Sequence, residues 1–293
     1  MPARARTVVY SMRPLALPTF SVSDVLNAFA AKAVPDPVRD KVALHYATFV
    51  QQDALYSLHS VGHRWWEFPR TTAVGTLNNE DLKGLYKNEM SDKRGTAFAF
   101  YSAIKNSAPH DKCPFCGVGV VSSVDHFLPK SRYSDITVAP ANLVPCCNDC
   151  NKNKHVRFPT QYGGQLIHPY FDDFTQFRWV KGTVFDEGAP RVGFAVDSNG
   201  NYDDEDEKRL LTHFSCLHLA RLFGSNAAEA LTTERENLVK TAAAFGTPGV
   251  RDYLSEQAQK YNSKHLNSWQ TAFYEALLAS DWFVDGGYLS IPV

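Results

Sequence analysis

Long apolar runs, a dominant charge and internal repeats are all missing from this 293-residue chain. No hydrophobic stretch approaches the roughly 18 to 20 residues needed to cross a bilayer, so no membrane segment is expected. Residues 1–13 carry three arginines, but no secretory apolar core with a small-residue cleavage site follows them. A cytoplasmic location is therefore expected. The formal net charge is −1, which excludes a protein that coats nucleic acid through a uniformly basic surface. No low-complexity linker divides the chain. Disorder is excluded too, because 44% of the residues are hydrophobic and 13% aromatic, enough to bury a substantial core.

The charge that is present is unevenly spread. Between Tyr101 and Thr160 stand seven basic residues (Lys105, Lys112, Lys130, Arg132, Lys152, Lys154 and Arg157) and four acids (Asp111, Asp125, Asp135 and Asp149). Asp203 to Glu207 is a run of five acids. A local basic site on a neutral protein suits an enzyme that touches a few phosphates. The six cysteines are Cys113, Cys116, Cys146, Cys147, Cys150 and Cys216. Four of them fall in two Cys-x2-Cys pairs, which in a cytosolic chain favour metal over disulfides. Cys146 and Cys216 are expected to be small buried residues.

The fold class expected is α+β, a mostly helical body with an inserted metal-stapled unit and a few short strands. Three regions are expected: a helical region at 1–106, the stapled unit at 107–175, and a short β segment followed by helices at 176–293. Asp36-Pro37 reads as an N-cap with proline in the first turn. Further helices are expected at 79–90 and 92–106. Short strands are expected at 124–128 and 143–146, followed by a helix at 148–157. Residues 175–202 look extended. A helix then runs from the acidic tract to Gly224, another spans 226–245 and stops at Gly246-Thr-Pro248, and the last begins near Ser263.

The chemistry gathers in residues 113–154. Cys113-x2-Cys116 and Cys147-x2-Cys150 offer four thiolates, the donor set of a closed tetrahedral zinc site that clamps a hairpin to a helix. Between them lies Asp125-His126, where a neutral imidazole can take a proton from water and a carboxylate can hold a hard cation. Neighbouring strand residues face opposite ways, so a bend or bulge is expected if both serve one site. Asn151 opens the helix after Cys150, and its amide oxygen can complete a magnesium site with Asp125. Lys152 and Lys154, in the same turn, can meet phosphate, and so can Lys130 and Arg132 in the loop. Asn142 can brace that loop through backbone hydrogen bonds. His168, with Asp172, offers a phosphate contact or else a structural histidine beside a proline turn. Trp65, Trp66 and Trp269 read as core. His213 and His218 read as packed residues.

In order and spacing, Cys113, Cys116, Asp125-His126, Asn142, Cys147, Cys150 and Asn151 with Lys154 resemble an HNH (ββα-metal) endonuclease of the four-cysteine zinc variety. The resemblance covers about residues 113–154. It implies His126 as the general base, Asp125 and Asn151 as ligands of one catalytic Mg²⁺ or Mn²⁺, and Asn142 as the residue orienting the loop. It implies a structural Zn²⁺ and a nucleic acid substrate, with DNA expected. Asp125-His-Phe-Leu-Pro-Lys-Ser131, Asn142-Leu-Val-Pro-Cys-Cys147 and His168-Pro-Tyr-Phe-Asp172 are also similar to HNH subunits of bacterial antiphage systems of the Septu and retron-associated kinds. That likeness implies an SMC-like ATPase partner. The competing expectation is a zinc-stapled binding module without catalysis.

Overall fold

The computed structural model describes residues 14–31 and 36–292; the arginine-bearing start at 1–13 lies outside them. The chain divides into two compact units. Among the described residues, one comprises 14–172 and the other 173–292. The architecture is α+β, as expected: helices with two short antiparallel hairpins among the described residues. No helix among them is long and apolar enough to cross a membrane.

In the first unit, helix α1 (Val22–Ala30) starts at Ser21, whose hydroxyl accepts the Asp24 N–H while Asp24 returns a bond to the Ser21 N–H. Helix α2 (Pro37–Leu44) is capped by Asp36 as its sequence suggested, at 2.8 Å from the Val38 N–H. It leads into α3 (Tyr46–Val61). Helix α4 (Asn79–Gly84) does not run on as an α-helix to residue 90. It widens into a π-helical turn over Leu85–Met90, a distortion often found beside functional sites. Helix α5 (Phe98–Lys105) is shorter than its periodicity suggested. The cause is a turn at its front, where Asp92 accepts the Arg94 N–H at 2.9 Å.

Strands β1 (Ser123–His126) and β2 (Leu143–Cys146) form a hairpin, and α6 (Asn148–Lys154) follows it. Helix α6 stops before residue 157 because His155 takes a positive φ of 49°. Val124 and Leu143 of the hairpin are buried in the same core as Val25, Leu26 and Phe29 of α1, Phe49 of α3 and Ile104 of α5. Helix α5 packs on both strands and α3 packs on the turns of the long loop between them. The helices and the hairpin therefore share one core, which fixes the loop's position.

The second unit is built on the hairpin β3 (Val180–Asp186) and β4 (Pro190–Val196), with α8 (Leu219–Asn262) and α9 (Trp269–Ala279) packed on it. Helix α7 (Asp204–Cys216) precedes them, capped by Asp203. It ends short of Gly224, because His218 adopts φ 53°. Helix α8 is broken at Gly246, with φ 65°, two residues before Pro248. The stop signal at 246–248 is thus a kink, after which the helix resumes. Glu234 ties the two halves together by accepting from Tyr253 at 2.5 Å, and binds α9 by accepting from Tyr274 at 2.8 Å. Helix α9 starts at the Ser268 cap, later than residue 263. Helix α10 (Asp281–Val284) closes the unit.

Asn267 holds the entry to β3. Its Oδ1 accepts from Trp179 at 2.7 Å and Val180 at 3.3 Å, and its Nδ2 donates to Phe174 O at 3.2 Å and Phe177 O at 2.9 Å. Asn267→Ala strands these buried groups and is expected to cost on the order of 3 kcal/mol. Chemical denaturation of the full chain checks this. A variant that unfolds with the wild type would show that water or backbone movement replaces the side chain.

Candidate active site and metal cluster

The first knuckle is a tight turn. The Cys113 N–H donates to Gly119 O and the Gly117 N–H to Cys113 O, both at 2.8 Å. A Cβ at Gly119 would stand 2.8 Å from the Cys147 sulfur, so only glycine lets the two knuckles close on each other. The sulfurs of Cys113, Cys116, Cys147 and Cys150 lie within 4.8 Å of one another, and all four residues are buried. Backbone N–H groups point at them, Gly119 to Cys116 at 3.3 Å and Cys150 to Cys147 at 3.4 Å.

Four soft donors around one point, with no open position, fit a structural zinc ion. Without a cation the sulfurs compete for charge. Neighbouring sulfurs push the thiols of Cys116 and Cys150 up, while hydrogen bonds from Cys113, Cys116 and Cys150 hold Cys147 low. A dication removes the conflict by favouring thiolate at all four. Cys146 is buried and turns its thiol to the Cys147 carbonyl. Cys216 belongs to the second unit and is half-buried.

Cys147 is also the N-cap of α6, which positions the next residues. β1 and β2 pair residue for residue, Asp125 opposite Val144 and His126 opposite Leu143, with no bulge, but His126 is the last residue of β1 and the chain bends directly after it. Ser123 and Asp125, two apart, share one face of β1. Asn151 and Lys154, one turn apart on α6, meet them. Asn151 Nδ2 donates to Ser123 Oγ at 3.1 Å. Lys154 Nζ lies 3.0 Å from Asp125 Oδ2 and donates to the His126 carbonyl at 2.6 Å. Asp125 Oδ2 is buried and accepts no directed hydrogen bond. That oxygen, with the Asn151 amide nearby on α6, suits a hard divalent cation.

Lys154 itself is only 2% exposed. In the free protein this lysine does not face a phosphate, as its place on α6 had suggested: its ammonium is taken up by the strand. Removing one partner from such a buried pair costs about 3–5 kcal/mol.

His126 is buried, and its Nε2 lies 2.9 Å from the Thr137 carbonyl. A carbonyl only accepts, so Nε2 carries the proton and Nδ1 keeps its lone pair. Burial first, and then the charge of Lys130, pushes its pKa down to about 3. Tyr86 on the π-helical turn packs edge-on against this ring at 4.4 Å and donates its hydroxyl to Val124 O at 3.2 Å. Lys130 sits 4.5 Å above the Tyr86 ring. Burial and then Lys83 and Lys87 lower its pKa, against an upward pull from Asp125. Lys83 and Lys87 thus act on Lys130 as like charges, and Asp125 acts on it as the opposite one.

Asn142 is fully buried inside the 127–142 loop. Its Oδ1 accepts from the Leu128 N–H at 2.8 Å, and its Nδ2 donates to Leu128 O at 3.1 Å and Ile136 O at 3.4 Å. Lys152 is exposed on α6, and exposed Arg132 lies 5.7 Å from the Phe158 ring.

His168 is not at a phosphate-facing surface. It is fully buried, stacked on Trp65 at 5.1 Å and packed against Phe127 at 4.1 Å. Its Nε2 meets the Tyr56 hydroxyl at 3.2 Å, and its Nδ1 accepts from the Tyr170 N–H at 3.1 Å. This corrects its assignment as a substrate contact: both ring nitrogens are engaged in an aromatic core. Asp172 accepts from the His168 N–H at 2.7 Å and pairs with His63 at 2.8 Å.

The model of the HNH endonuclease family matches residues 113–157. The chain is also similar to Protein ea31 of Escherichia phage lambda, 31% identical over 297 residues, spanning 94% of this chain and all of that protein. The chain belongs to one family with Protein ea31 and carries an HNH endonuclease segment at residues 113–157. No solved structure matches it. The matched residues include the hairpin, α6 and the four-sulfur cluster. Tyr86, Lys83 and Lys87 lie outside the HNH match, and no motif marked them. Ser123 carried one signal, its place two residues before Asp125 on the same strand face. Gly119→Ala is expected to weaken zinc binding at least about tenfold, read by competition with a chromophoric chelator. Unchanged affinity would show that the turn relaxes at no cost.

Proposed function

We propose that this HNH protein is a divalent-metal-dependent endonuclease that hydrolyses phosphodiester bonds, with DNA as its substrate. The observation that carries this is the state of His126: a neutral imidazole whose tautomer is set by the Thr137 carbonyl at 2.9 Å, next in sequence to the Asp125 carboxylate. In this reading His126 Nδ1 takes the proton from the attacking water. A divalent cation, Mg²⁺ or Mn²⁺, held by Asp125 and Asn151 supplies charge stabilisation at the scissile phosphate and the leaving oxygen. Asn142 fixes the loop so that the Thr137 carbonyl stays opposite Nε2. Lys130 and Lys152, with Lys83, Lys87 and Arg132, give the backbone phosphates a positive surface. The zinc bound by the four cysteines is structural and holds the hairpin to α6. We also propose, from the resemblance of residues 125–131, 142–147 and 168–172, that the nuclease serves antiphage defence beside an SMC-like ATPase. Co-purification of such an ATPase with the tagged protein from its native host tests that part.

The decisive experiment is plasmid cleavage by zinc-loaded protein with Mg²⁺ or Mn²⁺, beside His126→Ala. The variant is expected to keep its zinc and fold and to lose about 10²–10⁴ in rate. Full activity in it would remove His126 as the base. Wild type that cuts neither plasmid, single-stranded DNA nor tRNA would favour the non-catalytic binding module.

The buried imidazole also predicts a pH dependence of stability. Its pKa of about 3 lies below the ordinary 6.5, so between these values the unfolded chain binds more protons. The contribution of neutral His126 is complete above about 6.5 and is lost as pH falls toward 3, at up to about 1.4 kcal/mol per unit. Urea unfolding at pH 7, 5 and 4 should show this decline in wild type and a shallower one in His126→Ala. Parallel declines would mean that the ring gains protons without unfolding.

A further inference from the structure

We propose that Lys154 is a resident cation at the Asp125 carboxylate which the divalent metal displaces, so that metal loading depends on substrate phosphate. The inference rests on the nuclease reading above and concerns the order in which its components assemble.

The geometry places an ammonium where a metal's first anionic ligand is needed. Lys154 Nζ lies 3.0 Å from Asp125 Oδ2 and is anchored at 2.6 Å on the His126 carbonyl. It is not a surface side chain resting there by chance, because the residue is 2% exposed. Its helix is fixed at the front by Cys147 in the sulfur cluster and along its length by the Asn151–Ser123 bond.

Charge decides the rest. Among the described residues, the four cysteines are the one group of three or more His, Cys, Asp or Glu close enough to share an ion. Asp125 is the carboxylate that meets Lys154 here, and Lys154 already neutralises it. Lys130, whose charge Asp125 also attracts, adds to the positive side. A dication entering the free protein meets no uncompensated negative charge and repels an ammonium that holds the same oxygen. A phosphodiester changes this. It brings the missing negative charge, and its oxygens give the released Lys154 ammonium a new partner. Metal and substrate then bind with positive coupling, each tightening the other by the same factor.

The test uses Mn²⁺ as the probe, followed by its electron paramagnetic resonance signal in zinc-loaded full-length protein. Mn²⁺ prefers oxygen donors and leaves the thiolate-bound zinc in place. Titrations are run on wild type and on Lys154→Met, which keeps the length of the side chain without its charge. Each is run alone and with a DNA oligonucleotide carrying carbon in place of the leaving oxygens, which cannot be cut. Wild type is expected to bind Mn²⁺ at least about tenfold more tightly with the oligonucleotide. Lys154→Met is expected to bind Mn²⁺ about tenfold more tightly than wild type when alone, and to gain less from the oligonucleotide. Equal or weaker binding by a zinc-containing, folded variant would overturn the proposal and make Lys154 a brace for Asp125. Should the variant fail to fold, the wild-type pair of titrations still decides: no gain from the oligonucleotide overturns the coupling. If wild type cuts DNA yet shows no coupling, only this inference falls. If it neither cuts nor binds Mn²⁺ under any of these conditions, the nuclease reading falls with it.

Discussion

Four sulfurs brought within 4.8 Å of one another set the terms for everything around them. Two come from a turn before β1 and two from the start of α6, so one ion-sized point fixes both ends of a strand–loop–strand–helix segment. The hairpin is only four residues long on each strand, too short to be stable alone. It gains its register from this clamp at one end and from the shared core with α1, α3 and α5 underneath. Because Cys147 both joins the cluster and caps α6, the helix begins where the cluster places it. Asn151 and Lys154 inherit their positions from that start.

The strand then sorts the chemistry by face. On one side Ser123 and Asp125 meet Asn151 and Lys154, a polar seam with a cation already in it. On the other side His126 is enclosed by Tyr86 and by the loop that Asn142 ties together. Alternation along a regular strand is what keeps the His126 ring and the charged seam separate while leaving them adjacent in sequence. The π-helical turn matters here because it places Tyr86 beneath His126 and Lys130 at once. The helices ahead of the HNH segment therefore form part of its site as well as its support.

What the sequence disclosed follows from how local each feature is. The paired cysteines, Asp125-His126, Asn142 and Asn151 stand within one short segment, and their spacing carries their geometry. The α+β class and the Asp36 cap were legible for the same reason. Tyr86 was not, since nothing in a helical stretch forty residues before His126 records which ring it will touch. Lys154 misled because a lysine in a short Asn- and Lys-rich helix has the composition of a solvated face; only the packing of α6 on β1 turns it inward. His168 was legible only as a choice between a phosphate contact and a structural histidine beside a proline turn. The stacking of Trp65, distant in sequence, puts it in the core and selects the structural role.

The double duty of Cys147 has one more consequence, and it concerns oxidants. A thiolate that is both ligand and helix cap ties the integrity of the polar seam to the redox state of a sulfur. An oxygen atom added to Cys147 takes one of the four sulfurs out of the metal-ligating set and blocks the acceptor for the Cys150 N–H in the same event. Helix α6 then loses its anchor and its cap together, without any change at Asp125, His126 or Asn151. Those three residues are chemically robust, yet they share the fate of an oxidisable sulfur.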